Sequence, residues 1–171
     1  MKYMNCLDIK KSQSLAIKLS KILIKENWNL ATAESCTGGL ISKIITDTSG
    51  SSEWFTNGII TYSNSSKVRF LNIDEGKIND KGVVSEIIAL DMAKNIMTMS
   101  GADISVGVTG IAGPEGGNDS KPVGTVCFGW ATKVEAISET CYFTGDREAI
   151  RYASAEKALY GLIEIANLST Q

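Results

Sequence analysis

Apolar and polar positions along the chain switch between a helical and a strand-like period, and the switches outline an α/β domain. Leu15, Leu19, Ile22 and Leu23 recur at i, i+4, i+7 and i+8. That spacing is one helix face, with Lys18, Lys21 and Lys25 elsewhere on the wheel, and the helix should end near Trp28. Residues 30–33 read as a short strand, and residues 39–45 begin a second helix broken by the Ser-Gly-Ser-Ser loop of 49–52. Residues 55–62 (FTNGIITY) are β-rich and run into Ser63-Asn64, an N-cap for a short helix through Lys67 to Leu71. Ser85 caps a longer helix to Met99, with Ile88, Met92, Ile96 and Met99 on one stripe as core filler.

The second half follows the same logic. Residues 104–108 (ISVGV) predict a buried strand that opens into Thr109-Gly110-Ile111-Ala112-Gly113-Pro114. A glycine-rich polar loop of about twelve residues continues through Ser120-Lys121-Pro122, a length usual for functional loops. Residues 123–131 and 136–143 predict a hairpin. A last helix starts near Asp146 and carries Ala155, Leu159, Leu162, Ile163 and Ala166 on one face. Strands alternating with helices predict a single three-layer α/β domain. Its sheet should be mixed and largely parallel, flanked by helices, since the terminal hairpin adds an antiparallel strand. No internal repeat or linker interrupts it. The expected organisation is an N-terminal extension over 1–14 and one domain over 15–168.

Composition narrows the function classes. The chain has 171 residues, 43% hydrophobic and 21% charged, enough for one domain with a real core. A net charge of −2 leaves no footprint for nucleic acid. No apolar run approaches the ~20 residues that span a bilayer, and the stretch before Leu7 does not read as a secretory signal. Cys6, Cys36, Cys127 and Cys141 show no metal-type spacing and suit reduced thiols, so a cytoplasmic protein without metal or cofactor is expected.

The chain contains no histidine. Neither a Ser-His-Asp triad nor a Cys-His pair can therefore be built. Yet Ala33-Glu34-Ser35-Cys36-Thr37-Gly38-Gly39 reads as a nucleophile on a strand-to-helix turn, where ligands of such folds gather. The alternative is that Ser35, Thr37 and the glycines only cap the following helix. A base for Ser35 would have to be a lysine, and Lys67, after the strand carrying Tyr62, is placed to face it. Such a lysine must be neutral, which burial can bring about. Cys36, with Lys67 lowering its pKa, is the rival nucleophile. Gly110 and Gly113 allow a ligand close to the backbone, and Arg147 and Arg151, four apart on one helix face, could clasp a phosphate or simply be solvated.

Four segments together resemble the CinA C-terminal domain family: AESCTGG, TYSNxxK, VTGIAGPxGG followed by KPVGT, and GDRxxIR. The resemblance runs from about Leu15 to Asn167, and its stand-alone members are nicotinamide-nucleotide amidohydrolases. It implies conversion of nicotinamide mononucleotide (NMN) and water to nicotinic acid mononucleotide and ammonia, in NAD recycling, without metal. Carried onto this chain, it makes Ser35 the nucleophile, Lys67 the general base and Tyr62 an assisting hydroxyl. Around them, Thr37, Gly38, Gly39 and Asn64 are expected to meet the substrate. Thr109, Gly110, Ala112 and Gly113, with Arg147 or Arg151, are expected at its phosphate end. The expected partners are this small molecule and further copies of the chain, as a homodimer or larger assembly, with no nucleic acid or membrane. The alternative is a non-catalytic nucleotide-binding or competence-related regulatory protein.

Overall fold

A computed structural model of the chain describes residues 6–170, and residues 1–5 of the expected N-terminal extension lie outside them. Five strands form one sheet in the order β2-β1-β3-β4-β5. They are β1 (Leu30–Glu34), β2 (Phe55–Ile60), β3 (Ile104–Gly110), β4 (Thr125–Thr132) and β5 (Ala136–Tyr142). β1 pairs in parallel with β2 and β3, whereas β3–β4 and β4–β5 are antiparallel, so the sheet is mixed as expected.

The helices are α1 (Cys6–Glu26), α2 (Leu40–Thr46), α3 (Asn64–Leu71), α4 (Glu75–Lys81), α5 (Glu86–Ser100) and α6 (Arg147–Ser169). One face of the sheet is covered by α1, α2 and α6, whose apolar residues join Val106, Val108, Phe128 and Trp130 in the larger core. The other face buries Ala31 and Ala33 against Leu71, Ile78, Ile88, Met92 and Ile96 of α3, α4 and α5. Full burial of each such aliphatic side chain contributes about 1.5–3 kcal/mol, which is what fixes the layers.

Two glycines let α5 lie directly on the sheet. Gly107 and Gly129 face each other across β3 and β4. A Cβ on Gly129 would stand 2.5 Å from the Ala89 carbonyl oxygen, and one on Gly107 would collide with the same atom. The segment leading into α5 is thereby held close to the end of β3.

Four features differ from the sequence expectation. α1 is already helical at Cys6, the first described residue, and ends at Glu26, two residues before Trp28. α4 has only Ile78 buried, so it offers no apolar period to detect. Met99 is 59% exposed rather than core, because Gly101 turns the chain in a left-handed conformation and Ala102 closes that end of the core instead. Thr109 and Gly110 belong to β3 rather than to the loop, paired with Cys127 and Val126.

Candidate active site

Ser35 stands immediately after β1, at the carboxyl end of the parallel part of the sheet. Its backbone N–H donates to the Val108 carbonyl at 3.0 Å, which ties the turn to β3. Gly38 and Gly39 then adopt φ of 58° and 90°, conformations that side chains rarely take, and a Cβ on Gly39 would lie 2.9 Å from Ile60.

The carboxylate of Glu34 fixes this turn from within. Glu34 is fully buried. One of its oxygens accepts from the Gly39 and Ile41 amides at 2.9 and 3.1 Å. The other accepts from the Ser42 amide and hydroxyl at 2.8 and 2.7 Å. These are the orphan donors of the α2 N-terminus, where a negative charge is favoured. Of the alternative in which Ser35, Thr37 and the glycines cap α2, the glycine part holds and the side-chain part does not: Gly39 occupies the cap position without a side-chain bond, and the capping acid reaches in from the strand. Its signal in the sequence is a lone charge at the end of an otherwise small and apolar strand.

Lys67 reaches Ser35 because β2 lies beside β1. The ladder continues through Thr61, whose N–H donates to the Glu34 carbonyl at 2.8 Å. Ser63 then caps α3 in a reciprocal capping box with Ser66, and one turn on, Lys67 points back under the sheet edge. Its Nζ is 2.9 Å from Ser35 Oγ and donates to the Thr61 carbonyl at 2.7 Å. Only 1% of Lys67 is exposed. Burial disfavours the ammonium and lowers its pKa from 10.5 to about 8. A neutral amine in this position has one N–H on Thr61 and a lone pair free to take the Ser35 proton.

Cys36 is buried beside the same amine, yet its thiol is pushed up to about 12, chiefly by desolvation. Thiolate is therefore scarce near neutral pH, and the Lys67 hydrogen bond goes to Ser35.

A cleft of about 240 Å³ opens over the pair. Its walls include Ser35, Lys67, Tyr62, Asn64, Thr109, Gly110, Ala112, Gly113 and Arg147 from the sequence-predicted set. Thr109 Oγ1 donates to the Val83 carbonyl at 3.0 Å, holding the segment before α5 as one wall. Lys121 of the KPVGT motif supports that wall from behind, its Nζ donating to the Val84 carbonyl at 2.6 Å. Arg147 spans the mouth: Nη1 donates to the Gly113 carbonyl and Nη2 to the Tyr62 hydroxyl, both at 2.7 Å. Tyr62 is more than half exposed, and its hydroxyl is engaged by this arginine.

Thr37, Gly38, Gly39 and Arg151 are not among the lining residues. Arg151 Nη2 donates to the Thr37 carbonyl at 2.7 Å, behind the turn, and Thr37 is fully buried. The two arginines therefore do not form one clasp: Arg147 faces the cleft and Arg151 holds the turn that carries Ser35. Glu34, Lys121, Val83, Val84 and Glu115 are the contributors that sequence reading missed.

This geometry coincides with a match to the CinA C-terminal domain family model over residues 12–166. The chain belongs to this family. It is 45% identical over 147 residues to the nicotinamide-nucleotide amidohydrolase PncC of Enterobacter agglomerans, covering 85% of this chain and 90% of that protein. The PncC of Escherichia coli K12 is 42% identical over 149 residues, covering 86% and 90%. Among solved structures, a CinA superfamily protein from Klebsiella pneumoniae superposes with a TM-score of 0.88 at 33% identity, covering 91% of this chain and 98% of that one. The competence/damage inducible protein CihA of Agrobacterium tumefaciens gives 0.88 at 35% identity, covering 92% and 96%. No helix among the described residues is long and apolar enough to cross a membrane.

Proposed function

We propose that this chain is a nicotinamide-nucleotide amidohydrolase that converts NMN and water to nicotinic acid mononucleotide and ammonia, in NAD recycling, with Ser35 and Lys67 carrying the reaction. Family membership and the PncC relatives support the activity. The observation that carries the mechanism is the buried 2.9 Å contact between Lys67 Nζ and Ser35 Oγ at the floor of the cleft.

Neutral Lys67 takes the Ser35 proton as Oγ attacks the carboxamide carbon of the pyridinium ring, whose charge makes that carbon more electrophilic. The amides of Ser35, Gly38 and Gly39 already have acceptors within the protein. Of the turn only Ser35 and Cys36 line the cleft, so the oxyanion falls to the Cys36 amide, and one such donor is worth about 3 kcal/mol. The C–N bond breaks as protonated Lys67 returns its proton to the departing ammonia, which leaves an ester on Ser35. Water then attacks the ester carbon, Lys67 accepts the water proton, and Ser35 leaves as a hydroxyl with that proton. Arg147, at the mouth, meets the phosphate as a charge-assisted donor.

Ser35→Ala and Lys67→Ala should each abolish ammonia release from NMN while the far-ultraviolet circular dichroism spectrum stays that of the parent. Turnover retained in either variant would overturn the dyad. Binding of NMN by the unaltered protein without any ammonia release would instead make it a nucleotide-binding protein.

A further inference from the structure

One group in the cleft has no part in that chemistry. Glu115 is the sole carboxylate among the lining residues, which otherwise include two basic side chains, Lys67 and Arg147. It is exposed, and among the described residues it makes no hydrogen bond or ion pair. The inner end of the cleft is Ser35, bonded to Val108 at the carboxyl-terminal part of β3. From there the chain runs outward through Gly110 to Gly113, whose carbonyl Arg147 grips. Glu115 follows two residues later and lines the same cleft.

We propose that Glu115 is a specificity-determining residue that accepts hydrogen bonds from the ribose hydroxyls of the nucleotide. This rests on the reading of the site as an NMN amidohydrolase. With the carboxamide at Ser35 and the phosphate at Arg147, the ribose lies between them in the cleft that Glu115 lines. An ionised carboxylate only accepts hydrogen bonds. Away from the reacting amide, the ribose hydroxyls are the donors that the nucleotide offers, while a phosphate would be repelled. A charge-assisted hydrogen bond to a sugar hydroxyl adds affinity only for compounds that carry that hydroxyl. Glu115 therefore makes the enzyme select ribosylated nicotinamides over bare pyridinium amides.

The probes are NMN and 1-methylnicotinamide, which keeps the cationic ring and the carboxamide but has no sugar. Binding of both is measured by calorimetry in a Ser35→Ala background, with Glu115 intact and with Glu115→Ala or Glu115→Gln. Ammonia release is measured with Ser35 intact. Glu115→Ala should weaken NMN binding about tenfold, the effect of losing a charge-assisted pair at a partly solvated site. Its kcat should stay within about twofold of the parent, and 1-methylnicotinamide binding should not change. Glu115→Gln, which keeps one acceptor, should fall between. Unchanged NMN binding would overturn the inference. So would an equal loss for both probes, which would assign the carboxylate to the ring charge, and so would tighter NMN binding, which would mean that it opposes the phosphate. Because binding is read without turnover, failure of ammonia release by the parent enzyme would be visible separately.

Discussion

Titration of Lys67 links activity and stability through one buried amine. Its pKa is lowered from 10.5 to about 8 by burial. The 2.5-unit difference corresponds to at most about 3 kcal/mol of preference for the neutral form. Below pH 8 the amine is protonated in both folded and unfolded chains, and the folded state carries that penalty in full. Between pH 8 and 10.5 the unfolded chain keeps a proton that the folded one has released, so stability rises with pH across this window. In the proposed mechanism the same titration controls the base: roughly a tenth of the molecules have a neutral Lys67 at pH 7 and half at pH 8. Accordingly, kcat/KM for NMN should climb about tenfold from pH 7 to 9 on a single ionisation near 8 and then level off. Lys67→Met removes the base and the buried charge together. Denaturant unfolding of parent and variant, repeated from pH 7 to 10.5, should show their stability difference move by up to about 3 kcal/mol in favour of the parent as pH rises. At pH 7 the variant's gain is reduced by about 1–2 kcal/mol for the Thr61 carbonyl left without its donor. A rate profile inflecting near 10, or parallel stability curves for the two proteins, would refute the reasoning.

Three further outcomes follow from the contacts around the turn. Glu34→Gln puts an amide N–H₂ against two of the four donors that the carboxylate now accepts, and should lower unfolding stability by about 2–3 kcal/mol in denaturant titrations. Cys36→Ala should keep ammonia release within about threefold of the parent, because a thiol held near 12 is not the nucleophile. Arg147→Ala removes the donors spanning Gly113 and Tyr62 and should raise the KM for NMN about tenfold or more in steady-state assays, with the fold unchanged by circular dichroism.

Much of the layer architecture is legible in the sequence because apolar period and end signals agree. Asp146 caps α6, and Ala155, Leu159, Leu162, Ile163 and Ala166 are all buried along it. α4 escapes the same reading, since its cap at Asp74 introduces a helix with a single buried residue. For the site, residue types are legible and pairings are not. The absence of histidine directs attention to lysine, and the turn directs it to Ser35. The two meet across 32 positions only because β2 lies beside β1, and periodicity does not specify strand order. Glu34 shows the opposite limit. Its charge in a buried strand is visible, but that it satisfies the α2 N-terminus becomes clear only when the turn's geometry folds the helix back over it.

The proposed mechanism requires a covalent intermediate on Ser35, formed with the help of Lys67. Acid quenching during turnover of NMN, followed by mass spectrometry of the intact protein and its peptides, tests it most directly. An adduct with the mass of NMN less ammonia is expected on the peptide that contains Ser35, mapped by fragmentation to that serine and absent from Ser35→Ala. An adduct on Cys36, or steady ammonia release by Ser35→Ala, would contradict it.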